Sequence, residues 1–384
     1  MKNKKNTLEN LDRYRSEFPI TKEYTVMNNA AVSPVSNRVV ETVESVFWEF
    51  SHCAVACYTG WIKRAAEVRR LVAGLIHSDA NEIAFVGNTS EGLSGVAAGL
   101  KWKKGDGVLI PTHEFPANVY AWMNLERQGV RVDFIQKKEG RFSNKDIEKA
   151  LSPRTRLISI SSVDFVTGFR CDLEALGDFC KRKGLLFCVD AIQSLGVIPM
   201  DVKEYGIHFM AAGSHKWLLS TMGTGVLFIS KDVNDLIHPE RVGWKSVIQE
   251  EDFFPLQFDL KPDALRFEPG TMNVAGIYAL GAAVELLLEV GIENAFERVL
   301  GLNDLIFEGL KNRNAVIVTP MGKGERSGII SFIPASDPKT LYRFLTERKI
   351  MVSLRDHLIR LSPHFYNNRD DVNCFFHALD DFES

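Results

Sequence analysis

Nothing in these 384 residues stays apolar long enough to cross a bilayer, and no stretch gathers charge of one sign. A spanning helix needs about 20 consecutive apolar residues, so no membrane association is expected. Basic and acidic residues are interspersed at a net charge of −3. Without a basic block to follow a phosphodiester backbone, nucleic acid is not an expected partner. The opening MKNKKNTLENLDRYRSEF lacks the apolar core of a secretory signal. Cysteine is sparse and scattered, at Cys53, Cys57, Cys171, Cys180, Cys188 and Cys374. Only Cys53 and Cys57 lie close together, and no second pair at metal-ligand spacing follows, so no metal is expected. Cys180 and Cys188 sit in apolar surroundings and read as buried free thiols. A reduced, cytoplasmic protein is the expectation. Also missing are a Walker sequence and a dinucleotide-type glycine fingerprint, since Gly322-Lys323-Gly324 has no strand–turn–helix setting. That disfavours an NAD-binding oxidoreductase.

What is present is the make-up of an ordinary globular enzyme, 45% hydrophobic and 25% charged. Residues 1–20 read as a polar N-terminal arm or short helix. Residues 36–77 read as helical, with Ala65, Val68, Leu71, Val72, Leu75 and Ile76 forming an apolar stripe. Strand-like runs follow at 82–86, 107–110, 131–135, 157–163, 185–189 and 226–229, with helical patterns between several of them. One such pattern, 172–183, ends on Gly184. The alternation predicts an α/β fold with a mostly parallel sheet covered by helices on both sides. Past 275 the texture changes: helices at 275–290 and 292–312, strands at 316–318 and 328–333, and a helix from about Pro338 capped by Ser336 or Asp337. The expected domains are a large one over 21–275 and a small α+β one over 276–384.

The stretch 185–230 carries the chemistry. An apolar run ends on Asp190, an amide follows at Gln193, and His215-Lys216 sits in a small-residue loop before the last β-branched strand. Ligands of such sheets gather at the carboxyl ends of strands. An aspartate and a lysine facing one another there suit a pyridine-type cofactor: the lysine forms an imine and the carboxylate pairs with a ring nitrogen. Gly87-Asn88-Thr89-Ser90-Glu91 opens a helix and could seat a phosphate or simply cap the helix. Phe115 could lie on a planar ring or belong to the core.

Taken in order, NTSEG (88–92), HEFPANVYAW (113–122), SSVDFVTG (161–168), VDAIQ (189–193), GSHKW (213–217), FEPGTMN (267–273) and IRLSPHFYN (359–367) resemble the class V aminotransferase group of pyridoxal-phosphate (PLP) enzymes. The nearest branch holds cysteine desulfurases, isopenicillin N epimerase and kynureninase. The resemblance implies fold type I of the PLP-dependent transferases: a large domain with a seven-stranded-type sheet and a smaller α+β C-terminal domain. It implies pyridoxal 5'-phosphate as cofactor, an α-amino acid as substrate, and a homodimer with the cofactor at the interface. Lys216 would form the imine and shuttle the Cα proton, and Asp190 would keep the ring nitrogen protonated. Gln193 would bond the ring 3-oxygen and Phe115 would stack on the ring. Thr89, Ser90 and His215 would bind the phosphate, joined by Thr271 from a second subunit. Arg360 would grip the substrate carboxylate, and Asn28 and Asn29 would line the entrance, unless they only make a turn. Arg355 is a further candidate for substrate, read in preference as a surface charge.

Three departures bear on the reaction. The segment 350–359 has no cysteine where desulfurases carry the thiol that attacks the substrate sulfur, and Cys374 comes after the arginine. Phe165 stands where desulfurases place an asparagine. Gly213-Ser214 replaces the usual Ser-Gly before the His-Lys pair. The resulting expectation is an epimerase-like or C–S-lyase-like enzyme that removes the Cα proton through Lys216 without a persulfide cysteine. The alternatives are a class V aminotransferase passing the amino group to a keto acid, and a non-catalytic binding protein on the same fold.

Overall fold

The computed structural model describes residues 10–254, 256–313 and 315–384. In chain order the strands are β1 (Thr25–Val26), β2 (Ile83–Val86), β3 (Gly107–Pro111), β4 (Arg131–Ile135), β5 (Thr155–Ser161), β6 (Leu186–Asp190), β7 (Phe209–Gly213), β8 (Gly225–Ile229), β9 (Val316–Ile317), β10 (Ile330–Ile333), β11 (Ile350–Met351), β12 (Ser353–Arg355) and β13 (Leu358–Leu361).

Seven of them form one sheet in the order β2-β8-β7-β6-β5-β3-β4. Its centre is parallel, β4 to β7, while β8 runs antiparallel to both its neighbours β7 and β2. The middle strands are buried on both faces: every residue of β3, β6, β7 and β8 is inside. That explains why they read as unbroken apolar runs rather than alternating ones. Strand β7 reads from the sequence as no more than a second apolar run, because FMAAG has no turn residue or alternation to mark it. The helix Leu173–Lys183 shows how local chemistry sets the boundaries. Asp172 Oδ1 accepts the Ala175 N–H at 3.0 Å, and Gly184 stops the helix at φ 66°. Arg131, Thr155 and Leu186 open their strands at one edge, so β3 to β7 all deliver their carboxyl ends to the other.

Several expectations change on folding. The helical stretch 36–77 is two helices, Asn37–His52 and Tyr58–Leu75, separated by a 3-10 turn with Ala54 at φ 44°. Of the N-terminal arm, residues 1–9 lie outside the described residues. Asn10–Glu17 is a 3-10 helix that buries Leu11 and Tyr14, and Phe18 stacks on Tyr366 at 4.2 Å. This segment is therefore anchored in the main core rather than a purely polar arm. The helix Val274–Val290, assigned from the sequence to the small domain, packs on Asn37–His52 and Tyr58–Leu75, and its buried residues join the core of the large sheet. The helix Ile292–Lys311 is bent from it by 76°; among the described residues no single helix is long and apolar enough to cross a membrane.

A second sheet, β12-β13-β10-β9, lies under the helices Pro338–Glu347 and Arg369–Glu383 with a core of its own. The chain start feeds it: β1 pairs with β11, and Met27 is buried in that second core. The final helix, Arg369–Glu383, is capped by Asn368, whose side chain accepts the Asp371 N–H.

Candidate active site

Asp190 is the last residue of β6 and is 1% exposed. The apolar strand behind it leaves little to solvate the charge. Its Oδ1 accepts the Ile192 N–H at 3.0 Å, and its other oxygen has no hydrogen-bond partner among the described residues. Burial pushes the carboxyl up to about 7, Glu114 adds to that, and Lys216 and the Ile192 N–H pull it back.

Lys216 follows β7 on a loop pinned by Ser214, whose Oγ donates to Thr221 O at 2.7 Å, and by the wholly buried Trp217. The Trp217 indole N–H donates to Gln193 Oε1 at 2.9 Å, and Gln193 Nε2 donates to Ala30 O at 3.0 Å. These two bonds fix the amide orientation and leave one amide N–H over. Burial lowers the Lys216 amine to about 8, opposed by Asp190 and reinforced by Arg360 and Arg355. A lysine on an exposed surface titrates near 10.4, so at neutral pH this one is unusually ready to give up its proton.

The third contribution is the helix Thr89–Gly99, which starts just beyond β2. Asn88 caps it by accepting the Glu91 N–H at 2.9 Å. Thr89 Oγ1 accepts the Gly213 N–H at 2.8 Å, which ties the helix to the end of β7. Gly92 permits the close approach: a Cβ there would lie 2.8 Å from the Ala211 Cβ. The first-turn N–H groups of such a helix lack intrahelical acceptors and favour an anion. His215, beside Lys216, is held below the usual imidazole range by burial and by that neighbouring charge, so it is neutral at pH 7.

A cavity of about 320 Å³ brings these groups together: Thr89, Ser90, Phe115, Asp190, Gln193, His215, Lys216 and Arg360 all line it. Phe115 is 43% exposed rather than in the core, with its ring centroid 5.7 Å from Lys216 Nζ. Its ring meets Phe165 edge-on at 5.3 Å. Arg360, in β13, is 1% exposed. Its Nη1 donates to the Phe165 carbonyl at 2.5 Å and its Nη2 to Ser353 Oγ at 3.2 Å, while Nε has no partner. Phe165 thus contributes through its backbone carbonyl, a role its side chain could not announce.

Asn28, Asn29 and Thr271 are not among the lining residues. Asn29 is fully buried, donating to Ser362 O at 2.8 Å and accepting from Ser33 and Tyr366. Asn28 accepts from Ser353 Oγ. The pair braces the turn that presents Ala30 and Ala31 to the cavity. Thr271 is exposed and does not line the cavity. Arg355, read as a surface charge, does line the cavity. Sequence reading missed a buried charged group as well: Lys137 Nζ lies 2.6 Å from Asp164 Oδ2 and 3.8 Å from Glu114 Oε1. Burial raises the Glu114 carboxyl despite Lys137. Residues so distant along the chain carry no spacing signal that could have joined them.

The model of the aminotransferase class-V family matches residues 25–375. The chain belongs to that family. Across 96% of both chains it is 30% identical to a probable cysteine desulfurase of Pyrococcus abyssi. The apo structure of a cysteine desulfurase from Thermococcus onnurineus NA1 superposes with a TM-score of 0.89 at 27% identity, over 96% of this chain and 97% of that one. A C-DES variant with glycine linked to its PLP cofactor shares the fold, with a TM-score of 0.90 at 22% identity over 96% of this chain and 99% of that one. The fold is therefore type I of the PLP-dependent transferases, and the chain is a PLP-dependent enzyme. The residues present fit the cofactor. A buried carboxylate with no cation at ion-pair distance among the described residues suits a protonated ring nitrogen, a helix N-terminus suits a phosphate, and an accessible phenylalanine suits a ring face.

One expectation is corrected here. The epimerase-like or C–S-lyase-like enzyme expected to work without a persulfide cysteine is overturned by relatives bearing the name cysteine desulfurase. That reading leaned chiefly on the missing cysteine in 350–359, beside the HEFPANVYAW segment (113–122). The fold fixes where the cofactor lysine must sit, but a sulfur-accepting thiol has only to reach the substrate, so its position along the chain is a poor guide.

Proposed function

We propose that this enzyme is a cysteine desulfurase: it breaks the Cβ–S bond of a cysteine-type amino acid, leaves alanine, and passes the sulfur to an acceptor thiol as a persulfide. The reading is carried by Asp190, Lys216 and the buried Arg360 sharing one cavity, in a chain 30% identical to a probable cysteine desulfurase. Atoms balance, since L-cysteine and a thiol give alanine and a persulfide, which a reductant releases as sulfide.

Bound pyridoxal phosphate supplies an aldehyde for the substrate amine and a ring that draws off negative charge developing at Cα. The chain does the rest. Lys216 Nζ, lowered to about 8, removes the proton at Cα and returns it, close to the pKa at which an acid–base group works best near neutrality. Asp190 holds the ring nitrogen protonated. The free N–H of Gln193 reaches the ring 3-oxygen and Phe115 covers the ring. Thr89, Ser90 and His215 hold the phosphate. Arg360 takes the substrate α-carboxylate with a planar fork already oriented by Phe165 O and Ser353.

The same reading makes the enzyme a homodimer, with Thr271 of the second subunit completing the phosphate site. Exposed apolar side chains support this, Tyr120, Phe253, Phe254 and Phe258 among them. Light scattering should give twice the chain mass.

The test is to incubate holoenzyme with L-cysteine and dithiothreitol, then quantify alanine and sulfide. Equal amounts of both are expected. Persulfide on one of the six cysteines, mapped by mass spectrometry before reductant is added, identifies the acceptor. Pyruvate and ammonia in place of alanine overturn the assignment.

A further inference from the structure

We propose that Asp164, held by Lys137, is a positioning residue for the substrate: it clamps the loop that aims the Arg360 fork at the α-carboxylate. This rests on the reading of Arg360 given above and deepens it.

Arg360 is oriented without being neutralised. It is 1% exposed, and among the described residues no carboxylate lies at ion-pair distance from it. Its fork is aimed by two neutral oxygens, Phe165 O on Nη1 and Ser353 Oγ on Nη2. Neutral acceptors fix a guanidinium while leaving its charge available to an anionic substrate. A loop carbonyl can guide it only as well as its own peptide is held.

One carboxylate does that holding. Asp164 Oδ1 accepts the Val166 N–H at 2.9 Å and the Thr167 N–H at 2.7 Å. Peptide units are planar and trans, so the N–H and C=O of one unit point opposite ways. The Val166 N–H shares its unit with the Phe165 C=O, and the Thr167 N–H shares its unit with the Val166 C=O. Asp164 therefore grips two consecutive units by their N–H ends, while their oxygens face the second sheet. There the first oxygen meets Arg360 Nη1, and the second accepts from Ser331 Oγ at 2.5 Å. Arg360 and Ser331 are direct partners across β13 and β10. The loop has no room to turn elsewhere: at Gly168, φ 75°, a Cβ would lie 2.7 Å from the Ile329 carbonyl oxygen.

Lys137 keeps the clamp in place. Asp164 is 6% exposed, and its Oδ2 lies 2.6 Å from the Lys137 ammonium. A buried carboxylate without such a cation takes up a proton or pairs with another cation within reach. Burial and then Arg355 push the Arg360 guanidinium down to about 9, and Asp164 opposes them, so the two groups feel one another. With Lys137 in place, Asp164 acts on Arg360 through a peptide. Direct pairing would instead occupy the fork that the substrate needs.

The test is a spectral titration of the holoenzyme, reading the bound cofactor's absorbance, with L-alanine and with ethylamine, which lacks the carboxylate. Wild type should prefer L-alanine. Asp164→Ala should weaken L-alanine binding by ~10- to 100-fold, as expected of a misaligned contact, and leave ethylamine within about threefold. Turnover should show the same split, a raised KM for L-cysteine with kcat within about threefold. Asp164→Asn, whose amide oxygen still accepts both N–H groups, should recover most of the loss. Asp164→Glu keeps the ion pair but displaces the acceptor, and it should show the selective loss even where Asp164→Ala fails to fold. In an Arg360→Lys background, Asp164→Ala should cost less than about threefold more, because the fork it serves is gone. Equal weakening of both ligands, no recovery in Asp164→Asn, or a full further loss in the Arg360→Lys background overturns the proposal and leaves the reading of Arg360 standing. A wild type that binds both ligands alike removes the carboxylate role of Arg360, and the proposal with it.

Discussion

Two halves of this cavity are built in opposite ways. The large-sheet side comes from strands buried on both faces, and it offers one acid opposite one amine: Asp190 pushed up to about 7 and Lys216 pulled down to about 8. The hairpin side comes from β12 and β13, short strands that offer two arginines and no acid. Burial of an acid–base pair drives each partner toward neutrality, which favours proton transfer. Burial of like charges leaves them demanding a ligand instead. One half is arranged for chemistry and the other for capture.

The division breaks most directly at Lys216. Lys216→Ala should lose at least about 1,000-fold in sulfide production, as expected when a covalent and acid–base group is removed. Borohydride should then fail to fix the cofactor to the chain, as read by peptide mass. Activity within about tenfold of wild type would remove the lysine from the mechanism.

Next in size is the buried charge group behind the acid. Lys137→Met strands Glu114 and Asp164 without their cation, and breaking such a pair costs about 3–5 kcal/mol. Denaturant midpoints on the cofactor-free protein measure this, and a loss under about 1 kcal/mol would mean that the carboxylates simply take up protons.

Asp190 sharpens the acid half through its pH dependence. Its folded pKa is raised above the unfolded value, so ionisation destabilises the cofactor-free fold as pH rises from about 4 to about 7. Asp190→Asn should stabilise that form by a few kcal/mol above pH 7 (roughly 1.4 kcal/mol for each tenfold change in proton affinity). The advantage should vanish below about pH 4. Melting curves at several pH values decide it, and a pH-independent difference would contradict the assigned cause.

On the capture side, Arg360→Lys removes the fork and its bond to Phe165 O. Amino-acid binding should weaken by ~10- to 100-fold with cofactor affinity retained. The smallest effect links the halves. Cofactor uptake needs the neutral Lys216 amine, so its rate should rise with pH through about 8. Arg355→Gln removes a charge that lowers that pKa, and the midpoint should move upward by ~0.5 on the pH scale. Stopped-flow absorbance on the cofactor-free protein would show an unmoved midpoint if Arg355 were too far away to matter.

Legibility followed the same division. Asp190, Gln193 and His215-Lys216 are visible in the sequence because a parallel strand spells its burial as an apolar run and ends where chemistry begins. The helix at Thr89 is visible through its cap. Strands β11, β12 and β13 are not, since two to four residues carry too little periodicity to register. Arg355 misleads for that reason: a charge beside Asp356 and His357 looks like surface until the hairpin turns it inward. Asn28 and Asn29 read as entrance residues, yet their partners Ser362, Ser353 and Tyr366 lie more than 300 positions away in sequence.

Sequence alone determined the α/β alternation and the acid, amide and lysine at successive strand ends, because each is written in contiguous residues by local burial and capping; the family and its cofactor came from the resemblance of seven short motifs taken in order. Tertiary structure decided the rest. It joined Glu114, Lys137 and Asp164 into one buried group, set Arg360 on the Phe165 carbonyl, and brought Arg355 into the cavity. The physical reason is that a charge acts through whatever lies within a few ångströms of it, and folding chooses those neighbours from parts of the chain that share no local pattern.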